Sequence, residues 1–101
     1  SSPFSGYTNY VLNTTIETLQ QEFMQPTSQV RFIVFASMIS SDTSKVIASQ
    51  RFVVTVASPG NDPYAGVLAS NAAANKVADQ IAFFVKKAVI SDQASNLRRQ
   101  A

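Results

Sequence analysis

The sequence has 101 residues, 46% hydrophobic and only 14% charged, with eight basic and six acidic side chains and a net charge of +2. That is enough apolar material for one small core, and too small a positive excess for a strong counterion-release term with nucleic acid. It contains neither cysteine nor histidine, which removes disulfides, thiolate nucleophiles, Cys/His zinc sites and the commonest general base together.

Residues 1–8, with Pro3 and Gly6 among serines, read as a loose lead-in. From residue 9, "NYVLNTTIETL" alternates, with Tyr10, Leu12, Thr14 and Ile16 on one side and Val11, Asn13, Thr15 and Glu17 on the other. Its β-branched and aromatic content predicts a strand over residues 9–19. Asn13-Thr14-Thr15 matches a glycosylation sequon, but inside a strand it reads as structural. The following "QQEFMQPTSQ" either prolongs the strand irregularly or forms a short helical turn, with Pro26 as a break.

"VRFIVFASMIS" is apolar on both parities, Val30, Phe32, Val34, Ala36 and Met38 against Ile33, Phe35 and Ile39; this is the pattern of a strand covered on both faces. "SDTSK" supplies turn chemistry. "VIASQRFVVTVA" then returns with Phe52, Val54 and Val56 on one parity and Ser49, Arg51 and Thr55 on the other, which predicts an antiparallel hairpin. Its register stays open between a two-residue and a three-residue loop.

In "SPGNDPYAG", Asp62 is a good N-cap and Pro63 suits the first helical position. Plotted at 100° per residue, Val67, Ala74, Ala78, Ile81, Val85 and Ala88 form one apolar stripe, flanked by Val77, Phe84 and Val89. Adjacent helical residues diverge by about 100°, so Phe83 points away from this stripe, on a second side with Ile90, Ala65 and Ala72. These four are the candidate contacts for a partner or for a missing half of the domain. After Ser91 the tail "DQASNLRRQA" lacks apolar repetition and is expected to fray.

The sequence offers no catalytic, cofactor or metal site. Of the six acids, Asp62 is a cap and Asp42 a turn residue, and Glu17, Glu22, Asp79 and Asp92 form no convincing pair. The serines have no base to activate them. Phe32, Phe35 and Phe52 fit a core better than a base-stacking platform. Lys86, Lys87, Arg98 and Arg99 are the basic cluster; the plain reading is dipole compensation at a helix end with a solvated tail, and the functional rival is phosphate or anionic headgroup contact, the latter at Lys86 and Lys87.

Three strings, "NYVLNTTIETLQQEF", "VRFIVFASMISSDTSKVIASQRFVVTVASP" with its returning Arg51-Phe52, and "YAGVLASNAAANKVADQIAFFVKKAV", give residues 9–91 an order that resembles the ABC-type transport auxiliary lipoproteins of MCE-type and paraquat-inducible lipid transport systems. The resemblance implies a periplasmic, non-enzymatic component held at the outer membrane by an N-terminal lipid outside this sequence. Its partners would be MCE-type transporter components or other envelope proteins, with lipid binding and self-association open and nucleic acid not expected. The family's domain is about twice as long, with a first half that has no counterpart here, and its lipid-bearing cysteine has none either. The expected fold is α+β, an antiparallel sheet of about three strands with one long C-terminal helix packed on one face. Residues 1–101 are expected to form one domain, or the C-terminal half of a larger one, ordered over about 9–91. The alternative function is a protein-binding assembly adaptor of an envelope or secretion complex.

Overall fold

The computed structural model describes residues 9–23 and 27–100. Three strands, β1 (Tyr10–Phe23), β2 (Ser28–Ser40) and β3 (Lys45–Ala57), form an antiparallel sheet in the order β1-β2-β3, and one helix, α1 (Pro63–Gln100), follows. This is the expected α+β architecture. β1 runs past the expected end at residue 19 to Phe23, so of the two alternatives for this stretch the prolonged strand holds as far as that residue, with regular pairing and the ladder's one irregularity earlier, at Glu17. The expected break at Pro26 lies outside the described residues.

The hairpin loop is longer than either expected form. Ser40 pairs with Lys45, the Ser44 amide donates to the Ser40 carbonyl at 2.8 Å, and Ser44 adopts φ 58° to close the turn. A bulge at Ile47 then shifts the ladder, so that Met38 faces Ala48 and Val34 faces Phe52. Paired residues share a face, so this register gathers the row Val30, Phe32, Val34, Ala36 and Met38 with Phe52 and Val54 on one side, all of them buried. α1 covers that side, running back along the sheet antiparallel to β3. Asp62 caps it, its Oδ1 accepting from the Ala65 amide at 2.8 Å, with Pro63 as the first helical residue.

The buried line on α1 differs from the expected stripe. Ala65, Ala69, Ala73 and Val77 are buried, followed by Phe84 and Ala88, whereas Val67 is 55% exposed and Ala74 and Ala78 are exposed. The first four follow the i+4 ridge of the helix, which is inclined to its axis. Because the sheet twists, the contact line winds around α1, and a single fixed direction on a helical plot misses its N-terminal half. Ala65 therefore belongs to the core and not to the side of Phe83, and Ala72 is half-buried. The alanines let the helix lie close to the sheet, and Gly66 goes further: a Cβ there would run into the Gln21 side chain from β1.

The helix also continues where fraying was expected, through Gln100. The Tyr10 hydroxyl donates to Asp92 Oδ2 at 2.7 Å and accepts from Gln93 Nε2 at 2.9 Å, which ties the final turns to the start of β1. Thirty-eight residues at about 1.5 Å each make a helix of about 57 Å, and the molecule measures 59 × 19 × 18 Å.

Among the described residues no element covers the other face of the sheet. The expectation that β2 is covered on both faces is thus met on the helix side alone: Ile33 is buried among its sheet neighbours, but Phe35 is 39% exposed. That face carries two ion pairs, Arg51–Glu17 at 3.0 Å and Arg31–Glu22 at 3.2 Å. Glu22 also accepts from Gln29 and Gln20; these hydrogen bonds, Gln29's foremost, together with the charge of Arg31 hold its carboxyl below the usual glutamate range.

Three substitutions test this packing. Val34→Asp should abolish folding, since an unpaired charge in the row under α1 costs several kcal/mol, while Thr43→Ala in the turn should leave the circular dichroism melt nearly unchanged. Asp62→Ala should lower stability by about 1 kcal/mol, and Asn61→Ala by less. Gly66→Ala should stabilise a Gln21→Ala background by up to about 1 kcal/mol through helix propensity; in the wild-type background the displaced Gln21, which bonds Ser28 Oγ, should cancel that gain in chemical denaturation.

Candidate functional site

The antiparallel course of α1 over β3 leaves an open groove between the helix and the β3 edge of the sheet, which is free among the described residues. Its volume is about 610 Å³, and its walls are Ala48, Gln50 and Phe52 from β3 and Phe83, Phe84 and Lys87 from α1. The strand contributes three consecutive helix-side positions and the helix two successive turns, so two regular elements shape the groove. Phe84 forms its floor: it is buried and meets Phe52 edge to face, ring centroids 5.7 Å apart. Phe83 stands on the outer wall, 63% exposed, with the Lys87 ammonium 5.4 Å from its ring centroid in a cation–π contact.

The sequence separated Phe83 from Phe84 by direction, and the structure shows one exposed and one buried. It also brings Phe83 and Lys87 to one site. Ile90 is exposed but lies outside the groove lining, as do Ala65, which is in the core, and Ala72. Lys86 is exposed and not part of the lining, and the side chain of Arg99 is outside the described residues. The strand wall was not foreseen. Its signal was the alternation Ala48, Gln50, Phe52, small residues leading to an aromatic, which needs the Ile47 bulge before it points under the helix.

Chemically the groove offers an apolar floor with charge at its rim. Four of the six acids have structural roles, Glu17 and Glu22 in ion pairs, Asp62 in the cap and Asp92 with Tyr10. Asp79 lines the groove with Gln80. Among the described residues no group of three His, Cys, Asp or Glu side chains could hold a metal ion.

A second uncovered surface lies on β1. Leu12, Ile16 and Leu19 pair with Met38, Val34 and Phe32 and so face the helix side, yet they are 41%, 61% and 50% exposed. A helix about 10 Å across covers two strands spaced about 4.8 Å apart and not a third, and α1 lies over β2 and β3.

Phe83→Ser with Ile90→Ser should leave the melting temperature within a few degrees of wild type and raise solubility, because exposed apolar side chains of this kind drive association. Phe84→Ser should instead cost about 3–5 kcal/mol, the range for losing a core phenylalanine. Thermal melting and sedimentation of the variants check both.

No family model matches the chain, and no curated protein matches it. Among solved structures it is similar to the crystal structure of protein XCC0632 from Xanthomonas campestris, described under the family model DUF330, with a TM-score of 0.78 and 20% sequence identity. The match covers 82% of this chain and 49% of that one, so the chain spans about half the length of the structure it resembles, and what the two share is the fold.

Proposed function

We propose that this chain is a non-enzymatic docking module of the bacterial envelope, an auxiliary component of an ABC-type, MCE-linked lipid transport system anchored by lipid to the outer membrane. The observation that carries the docking role is the apolar groove of Phe52, Phe83 and Phe84 beside a free sheet edge, in a molecule whose acids are mostly engaged in structural bonds. Support for the transport setting comes from the resemblance of residues 9–91 to the auxiliary lipoproteins. A fold shared with a longer DUF330 protein, about half of which the match covers, is compatible with an MCE or paraquat-inducible type of envelope protein and with a module that works as part of something larger. On that reading Phe83 and Ile90 face a protein of the envelope complex, and Lys86, outside the groove lining, lies toward anionic headgroups.

The second reading, a protein-binding assembly adaptor, is favoured by the free β3 edge, since an unpaired strand recruits backbone rather than lipid. Immobilised protein should retain a purified MCE-domain protein with its permease and ATPase in nanodiscs, and mass spectrometry of the purified chain should detect co-purifying phospholipid. Retention without lipid selects the adaptor. Neither retention nor lipid would sink both readings.

A further inference from the structure

We propose that the groove between β3 and α1 receives an extended, acidic segment of a partner protein, which adds to the sheet as a fourth strand on the free edge of β3. This deepens the docking role proposed above and rests on it; the transport setting is not required.

Three observations converge. First, β3 is an edge strand of 13 residues, and beyond the Ile47 bulge, from Ala48 to Ala57, its pairing with β2 is regular. Its outer edge therefore presents the alternating N–H and C=O groups of an unbroken ladder, the template used in β-strand addition. Second, the groove has the dimensions of such a guest. From Ala48 to Phe52 the strand wall spans about 14 Å at about 3.4 Å per residue. From Asp79 to Lys87 the helix wall spans about 12 Å at about 1.5 Å per residue. A strand laid about 4.8 Å outside β3 would drop alternate side chains into the groove against Phe52, Phe83 and Phe84, and a space of 610 Å³ accepts two or three of them. The β1 edge lacks this wall, because α1 meets its helix-side row at the two ends, Tyr10 and Gln21, and leaves Leu12, Ile16 and Leu19 between them exposed, and the ladder there is broken at Glu17.

Third, the charge around the groove selects the guest. Lys87 is on the rim and Lys76, at i−4 to Gln80, lies on the same flank one turn before the lining begins. The two ion pairs of the described residues, Arg31–Glu22 and Arg51–Glu17, use neither of them. Lys45 opens β3 at the same end as Lys87, and Asp79 is the opposing charge. The border is net positive, so apolar residues alternating with Glu or Asp complement it. Lys87 rests on the Phe83 ring, where it can meet a carboxylate without leaving its aromatic support.

The probe is a fluorescein-labelled nine-residue peptide alternating Glu with Val and Phe, titrated with the 101-residue protein by fluorescence anisotropy. Binding should weaken about tenfold or more when backbone nitrogens of one alternate set are methylated, and change little when the other set is, since a factor of ten corresponds to one good interaction. A peptide with Lys in place of Glu should bind about tenfold more weakly, and K76E with K87E should invert that order. Phe83→Ser should weaken the original peptide without altering the melt. Amide shifts on binding should fall on β3 and on α1 from Lys76 to Ala88. The proposal is overturned if the acidic peptide does not bind, if methylation of either set is without effect, or if the shifts fall on β1 or the open sheet face. It is equally overturned if monomeric dodecyl phosphate fills the groove in preference to the peptide, or if sedimentation equilibrium shows two copies of the chain paired through β3. Should the peptide fail while transporter components are still retained, the docking module survives and only its docking mode is lost.

Discussion

α1 lies over two of the three strands, and most of the molecule's character follows from that mismatch. α1 must lie over β2 and β3 to bury Val30, Phe32, Val34 and Phe52, each a side chain whose burial contributes about 1.5–3 kcal/mol. Having done so, it leaves Leu12, Ile16 and Leu19 of β1 bare and one flank open to a groove at the β3 edge. The two ends are fastened differently. At the start of the helix, Gln21 packs against Gly66 and bonds Ser28, whose hydroxyl in turn donates to the Gly60 carbonyl at 2.9 Å. At its far end Tyr10 bonds Asp92 and Gln93. Between these clamps β1 and α1 diverge.

Much of this was legible in the sequence because the strands obey a period of two with few exceptions. The apolar rows Val30 to Met38 and Phe52 to Val56 stood out by parity, although β2 read as covered on both faces and not on one, and Asp62-Pro63 marked the helix start by local chemistry alone. What was not legible depended on long-range geometry. The helix stripe failed over its first half because the twist of the sheet, which no residue of α1 encodes, makes the contact line follow Ala65, Ala69 and Ala73. The final helical turns were misjudged for a similar reason: their anchor, Tyr10, is 82 residues from Asp92.

The site shows the same division. The divergent directions of Phe83 and Phe84 follow from helical geometry, and the structure places one on the rim and one on the floor of the groove. The strand wall could not be foreseen, because which side chains of β3 lie beneath the helix turns on a four-residue loop with Ser44 at positive φ and on the bulge at Ile47. One residue more or less in that turn would have pointed Arg51, not Phe52, into the groove. The hairpin loop, far from the candidate site in function, thus sets its chemistry.

The rod-like outline has a consequence for how the molecule moves. With extents of 59 × 19 × 18 Å its axial ratio is about 3, and its radius of gyration is 18.2 Å, against about 13 Å for a compact chain of 100 residues. Such a particle drags more solvent than its mass of 10.9 kDa implies, tumbles slowly about its short axes, and elutes from a sizing column ahead of spherical standards. A monomer will thus read as heavier than it is wherever volume is read as mass, and a mass-sensitive method such as light scattering distinguishes shape from association.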